Sequence, residues 1–213
     1  MSGVKGARSE RAAETRRRII TAATELFLAD GYGATTLQQV AVRAGVAVQT
    51  IYFTFRNKPT LLKELVDVAI AGDDGPLATM ERPWFARVTD APDAREALAA
   101  LVTGSRAVLE RVAAVTDMVR TATAAHPELR ELWPDQEDPR HAVHATAAKA
   151  LLEKPGAVTG LAVDRAADVL YALLSPEMFL ILTRDRAWSP EEWERWVEET
   201  LAAQLLAPGL ERG

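Results

Sequence analysis

The chain has 213 residues, a net charge of −5 and no cysteine, which excludes disulfide bonds and thiolate metal sites. Its N-terminus is polar and basic, without the apolar stretch of a secretory signal. The longest runs free of Asp, Glu, Lys and Arg are twelve residues each, 31–42 and 44–55, and are too short to span a bilayer. We therefore expect a soluble, cytoplasmic protein with no membrane contact.

The charge is unevenly distributed along the chain. Residues 1–65 contain ten Lys or Arg against five Asp or Glu, a net of +5, which leaves −10 for the remainder. A basic N-terminal third suits a DNA-binding protein, because contacts to phosphate supply most of the non-specific affinity. A solvated charged face would give the same pattern, so the charge alone does not decide between the two.

The first predicted helix covers residues 12–30. Its apolar residues recur at helical spacing, and Gly31 ends it: the stripe consists of Ile19, Ile20, Ala23, Leu26 and Phe27. Arg16, Arg17 and Arg18 lie at its start, where positive charge opposes the helix dipole. We expect DNA phosphate to be their partner.

Residues 35–60 predict two short helices joined by a tight turn. Thr36 and Gln39 are spaced for a capping box at the start of the first helix. Gly45 supplies the positive φ that a sharp helix-to-helix turn requires. Phe55, with either Thr50 or Ile51, is spaced to point inward from the second helix. This is the signature of a helix-turn-helix, whose second helix enters the DNA major groove.

The order of residues from Gly31 to Leu62 carries a more specific signal. The pattern G-Y-x-x-T-T-x-x-x-V-A-x-x-A-G-V-x-x-x-T-I-Y-x-x-F-x-N-K-x-x-L-L resembles the tetracycline-repressor (TetR) family, which are one-component bacterial transcription repressors. Weaker similarity returns in LLSPEM at 173–178 and over 187–206.

The resemblance implies a set of DNA-binding residues. Gln49 is the best candidate for reading a base, since a carboxamide pairs bidentately with adenine, and the hydroxyl of Tyr52 and the ammonium of Lys58 would reach phosphates. Val48 and Phe53 depart from the polar residues frequent in the family and offer apolar contact with thymine methyl groups. The full set is Thr36, Leu37, Ala47, Val48, Gln49, Thr50, Tyr52, Phe53 and Lys58.

The rest of the chain is predicted to be helical, which gives an all-α fold. Asn57 caps a connecting helix that runs to about residue 71, and the Gly- and Pro-rich segment 72–92 reads as a boundary, with Trp84 and Phe85 packed on the body. The later helices are expected at 93–115, 116–125, 127–153, 163–186 and 190–207. We thus expect a helix-turn-helix domain at 12–71 and a helical effector-binding and dimerisation domain at 72–213.

Two further sites follow from the resemblance. The middle helices would enclose a small-molecule effector, with Met118, Ala122, Trp133, His144, Tyr171 and Met178 as candidates. The last two helices would pair with those of a second copy, with Leu170, Leu174, Trp193, Val197 and Leu201 at the interface. Arg120 could pair with an acidic effector, or with Asp117 or Glu128.

The expected function is repression of transcription by a homodimer on a palindromic double-stranded DNA operator, relieved by the effector. No enzyme, metal or cofactor is expected, because nucleotide-loop and nucleophile-elbow motifs do not occur. His141 and His144 could present two metal ligands from one helix, but the spacing of the three histidines does not favour a metal site. The alternative is a helical interaction protein with a vestigial helix-turn-helix.

Overall fold

The computed structural model describes residues 3–72, 79–132 and 139–209. These residues form helices, turns and loops, with one isolated β-bridge between Ala157 and Leu206. The prediction of an all-α fold is therefore confirmed. In chain order the helices are α1 (Gly3–Asp30), α2 (Leu37–Ala44), α3 (Val48–Phe55), α4 (Lys58–Ala71), α5 (Pro83–Asp90), α6 (Ala94–Ala125), α7 (Pro139–Leu152), α8 (Val163–Leu173), α9 (Pro176–Leu180) and α10 (Pro190–Leu205).

The chain divides into two compact units. The first consists of Met1–Ala69 and Val115–Pro134, and the second of Ile70–Ala114 and Asp135–Gly213. The long helix α6 therefore contributes its first part to the second unit and its last part to the first. The expected boundary after residue 71 assigned that last part to the C-terminal domain.

The first unit has one apolar core made by α1 to α4 and the end of α6. Phe27, Ile51 and Leu61 have almost no exposed surface, and the stripe expected on α1 supplies much of this core. Ala122 of α6 and Leu129 of the 3₁₀ turn that follows are buried in the same cluster. Burial of these apolar side chains is the main favourable contribution to the folding of this unit.

The second unit is built around α10, whose inward residues are fully buried. The ring of Trp193 packs edge-on against Phe179, with centroids 5.1 Å apart. At the surface, the guanidinium of Arg106 on α6 lies 2.9 Å from a carboxylate oxygen of Glu191 and 3.0 Å from one of Glu194. These ion pairs attach α10 to α6.

Helix α5 was not predicted, because its eight residues lie in the segment read as a boundary. Pro83 occupies its first turn, where proline is tolerated, and Phe85 is buried as expected. The ammonium of Lys154 donates to the carbonyl oxygens of Thr89 and Ala91, at 2.8 and 2.6 Å. A cation placed there satisfies carbonyl groups that the helix end leaves free.

The continuous helix expected over 163–186 is wrong. Ser175 accepts a hydrogen bond from the backbone N–H of Met178, and Pro176 occupies the first turn of a new helix. A proline cannot donate to the preceding turn, so α8 ends at Leu173 and α9 begins at Pro176. Conversely, the helices expected at 93–115 and 116–125 form the single helix α6.

Within the described residues, one helical stretch, Val163–Asp185, has the length and hydropathy of a membrane span. It is interrupted at Ser175 and Pro176, and Ala166, Ala167 and Leu170 on α8 are fully buried inside the second unit. Core helices of soluble proteins have the same composition. The inward face of α8 therefore belongs to the core of the second unit.

Candidate nucleic-acid interface

The start of α2 is fixed by the predicted capping box. Gln39 donates its backbone N–H to the hydroxyl of Thr36 at 3.2 Å, and the Thr36 N–H donates to the side-chain oxygen of Gln39 at 2.7 Å. Thr36 is exposed, as a residue facing DNA must be. Leu37 is only 9% exposed and belongs to the core. The side chain of Leu37 therefore packs inward, as the helical spacing indicates, and a contact of this residue with DNA stays a prediction.

The turn between α2 and α3 depends on Gly45. Its φ of 65° and ψ of 42° lie in the left-handed region, and its backbone N–H donates to carbonyls of the last turn of α2. A Cβ built on Gly45 would lie 2.8 Å from a guanidinium nitrogen of Arg18. The turn therefore favours glycine for its backbone conformation, and a side chain at this position would also displace the guanidinium of Arg18.

Helix α3 separates its side chains into two faces, as predicted. Ile51 and Phe55 are buried in the core of the first unit. On the other side, Tyr52 is 54% and Phe53 is 92% exposed. Ala47 and Gln49 are also exposed, whereas Val48 and Thr50 are half-buried. The exposed face of α3 thus presents two aromatic side chains, Tyr52 and Phe53, to solvent.

Helix α3 ends in an unusual turn. The backbone N–H of Arg56 donates to the carbonyl of Tyr52 at 2.9 Å, and Asn57 N–H donates to the carbonyl of Phe55 at 2.7 Å. This second bond closes a γ-turn centred on Arg56, whose φ is 65° and ψ is −53°. Asn57 then caps α4, accepting from the Thr60 N–H at 2.8 Å, as expected.

Lys58 lies in a different environment from a free surface lysine. Its ammonium donates to the carbonyl oxygen of Tyr32 and lies 4.1 Å from the centroid of the Tyr32 ring. Burial lowers the pKa of Lys58, and it raises the pKa of the Tyr32 hydroxyl, with a further contribution from the negative charge of Glu128. Lys58 is thus held against the loop after α1, and its contact with phosphate stays a prediction.

The three arginines at the start of α1 have partners inside the first unit. Arg16 pairs with Glu64, and Arg17 lies 2.6 Å from Glu14. Arg18 donates to the backbone carbonyls of residues 44 and 45 at the end of α2. Carboxylates and helix-end carbonyls therefore already offset the unfavourable interaction of these charges with the helix dipole, and the expected contact with DNA phosphate stays a prediction.

The candidate effector residues fall in both units. Met118 and Ala122 pack into the core of the first unit. His144, which is buried, and the half-buried Tyr171 and Met178 belong to the second. Trp133 lies outside the described residues. No sequence pattern points to Arg140, whose guanidinium donates to the Tyr171 hydroxyl at 2.7 Å and lies over its ring.

The remaining polar candidates have nearby partners. Arg120 pairs with Asp117 at 2.6 Å, one of the alternatives left open by the sequence. His141 Nε2 lies 3.7 Å from a carboxylate oxygen of Asp168, and the ring of His144 lies 6.0 Å from that of Tyr171. In the part of the chain that the structure describes, no three His, Cys, Asp or Glu side chains are grouped to hold a metal ion.

The candidate dimer residues have no surface to offer a partner. Leu170, Leu174, Trp193, Val197 and Leu201 are each at most 3% exposed in the single chain. The prediction that these side chains meet a second copy is wrong. Their helical spacing marks the inward face of α8 and α10, and a sequence pattern cannot tell a face buried within a protomer from one buried between protomers.

The amino-acid sequence is similar to those of known bacterial transcription regulators. Residues 19–65 match the sequence model described as bacterial regulatory proteins, tetR family. The transcriptional regulator SrpR of Pseudomonas putida is 38% identical over 90 residues, which cover 39% of this chain and 40% of SrpR. The chain thus spans about two fifths of that relative's length.

Solved structures extend the similarity to the whole fold. A protein of Saccharomonospora viridis in complex with choline superposes with a TM-score of 0.68 at 23% identity, over 91% of this chain and 98% of its own. FadR of Bacillus subtilis in complex with stearoyl-CoA gives 0.62 at 21% identity, over 87% and 96%. These structures show a shared fold, and the match of residues 19–65 places the helix-turn-helix of this chain in the tetR family of bacterial regulatory proteins.

Proposed function

We propose that the protein is a DNA-binding transcription repressor that acts as a homodimer. The observation that carries this proposal is the exposed face of α3, where Gln49, Tyr52 and Phe53 face solvent while Ile51 and Phe55 hold the helix in the core. Exposed side chains on the second helix of a helix-turn-helix are those that reach base edges in the major groove. The family match of residues 19–65 supports the same function.

The chemistry of this face indicates what it reads. Gln49 offers a donor and an acceptor that match the N6 and N7 of adenine. Phe53 offers only apolar surface, which suits the C5-methyl group of thymine. The hydroxyl of Tyr52 suits a phosphate oxygen, which positions the helix without reading sequence. An operator with A·T base pairs under α3 would satisfy all three side chains.

Fluorescence anisotropy with duplex DNA tests the proposal. The probe is a duplex selected by the wild-type protein from a random library, and the control is a scrambled duplex of the same composition. We expect tight binding to the selected duplex that weakens steeply with salt. Failure of the wild-type protein to enrich any duplex would refute the proposed function and favour the interaction-protein alternative.

Variants of α3 test whether this helix recognises the DNA sequence. Gln49→Ala should weaken binding to the selected duplex by about 5- to 150-fold for each half-site, the range of about 1–3 kcal/mol for one bidentate base contact. Tyr52→Ala should weaken binding to both duplexes. Leu28→Ala, which truncates an exposed apolar side chain on α1, is the matched control. Unchanged affinity in Gln49→Ala and Tyr52→Ala together would exclude α3 as the reader.

A dimer would place two copies of α3 on one face of DNA, about 34–36 Å apart, and would favour a palindromic operator. Apolar side chains that stay exposed in the second unit are available for such an interface, including Val163 and Ile181. Light scattering of the free protein gives the mass directly. A monomeric mass at the concentrations that saturate DNA would refute the dimer.

We further propose that a small molecule bound by the helical second unit releases the protein from DNA. The proteins of the same fold from Saccharomonospora viridis and Bacillus subtilis were solved with choline and with stearoyl-CoA, so this fold holds ligands of different chemistry. Release requires only that the effector bind the non-DNA conformation more tightly. A compound screen that measures loss of anisotropy on the selected duplex tests this step.

A further inference from the structure

Arg56 occupies a backbone position that favours glycine. Its φ of 65° with ψ of −53° places it at the centre of a γ-turn with positive φ, a rare and strained conformation for any residue with a Cβ. The surrounding structure imposes this conformation, because the turn joins the end of α3 to the cap of α4 through the bond from Asn57 N–H to the Phe55 carbonyl. The fold alone would therefore be better served by glycine.

The side chain of Arg56 does not compensate for this strain with an internal contact. Between residues 35 and 69 the other basic residues are all engaged: Arg43 lies 2.6 Å from Glu25, Lys58 donates to the Tyr32 carbonyl, and Lys63 lies 3.0 Å from Asp67. Arg56 is exposed and makes no side-chain hydrogen bond or ion pair with the described residues. Its guanidinium is thus available to an external anion.

The position of Arg56 favours a DNA phosphate as this external anion. The residue is four positions beyond Tyr52, and its backbone N–H still donates to the Tyr52 carbonyl, so Arg56 continues the last turn of α3. A cation at the C-terminal end of this helix would meet the DNA backbone beside the groove that the exposed residues enter. Guanidinium groups bind phosphate through paired N–H donors.

We propose that Arg56 is a phosphate-binding residue of the DNA interface, one that no sequence pattern assigned. The inference rests on the proposed function and adds to it a charge–charge contact that anchors the end of α3. The strained backbone explains why this contact is separable from folding: replacing Arg56 by glycine should improve the fold and weaken the binding of DNA. A purely structural residue could not give changes of opposite sign.

The test compares Arg56→Gly with wild type on the selected duplex and on the scrambled duplex. One phosphate contact in each protomer contributes about 1.8 to the slope of log affinity against log salt, at about 0.9 per phosphate. The affinity ratio of wild type to variant should therefore shrink about tenfold between roughly 50 and 200 mM salt. Both duplexes should lose affinity alike, and the melting temperature of Arg56→Gly should rise.

Three further variants complete the design. Arg56→Lys should keep the wild-type salt slope, because it keeps the charge. Arg56→Gln removes the charge but keeps the strained backbone, so its slope of log affinity against log salt should fall by about 1.8, as in Arg56→Gly. This variant separates the effect of the charge from the effect of the backbone conformation. Arg130→Gln removes an exposed arginine from the same unit and should leave the slope unchanged.

The inference would be overturned if Arg56→Gly and Arg56→Gln both bound DNA with the affinity and the salt slope of the wild-type protein. Because the wild-type protein would still have selected its duplex, that result would leave the proposed function intact. If the wild-type protein selects no duplex, the proposed function fails first, and the inference fails with it.

Discussion

Gly104 offers a sharp test of packing in the second unit, because two effects of opposite sign act on its replacement by alanine. Gly104 lies inside α6, where glycine is less stable than alanine by about 1 kcal/mol. On that ground alone Gly104→Ala should stabilise the protein. However, a Cβ built on Gly104 would overlap Cε3 of Trp84 and lie 2.7 and 2.8 Å from Cζ3 and Cδ2 of the same ring.

The steric effect is the larger of the two. Carbon atoms make favourable contact at about 3.5–4.0 Å, so the rigid indole would have to move by roughly 1 Å or leave its place on α6. Overpacking of this kind costs about 1–3 kcal/mol, and displacement of a tryptophan costs more. After the gain in helix propensity is subtracted, Gly104→Ala should destabilise the protein by up to about 2 kcal/mol.

A double-mutant cycle with Trp84→Ala isolates the contact. Without the indole, Gly104→Ala should stabilise by about 0.5–1 kcal/mol, so the coupling should equal the overpacking cost of about 1–3 kcal/mol. Urea denaturation followed by far-UV circular dichroism measures each free energy of unfolding. If Gly104→Ala destabilised the Trp84→Ala background as much as the wild type, close packing of Trp84 on α6 would be refuted.

Two further predictions concern helix ends. Lys154→Met removes the ammonium from the carbonyls at the end of α5 and should lower the free energy of unfolding by about 1–2 kcal/mol. The control Lys149→Met, on the exposed side of α7, should leave it nearly unchanged. Equal melting temperatures of the two variants would contradict this prediction. Gly45→Ala should cost more than Gly160→Ala, since both glycines have positive φ but only Gly45 has Arg18 within 4 Å of a built Cβ. A difference of about 1 kcal/mol in unfolding free energy is expected, and equal losses would show that Arg18 yields freely.

The sequence by itself determined the helix-turn-helix. The capping box of Thr36 and Gln39, the positive φ of Gly45 and the inward spacing of Phe55 are all present in the structure. These signals act between residues no more than four positions apart, where backbone geometry leaves few alternatives. The same kind of signal at Ser175 and Pro176 was present in the sequence, although the long apolar pattern around it masked the break.

Only the tertiary structure decided which surfaces are free. The pairing of Arg16 with Glu64, the engagement of Lys58 by the Tyr32 carbonyl, and the burial of Leu37 and Trp193 within the single chain depend on residues far apart in sequence. Helical periodicity shows that a face is apolar but not what covers it, and a count of charges does not show which are neutralised internally. The exposed guanidinium of Arg56, held on a strained turn at the end of α3, therefore became apparent only once the partners of its neighbours were known.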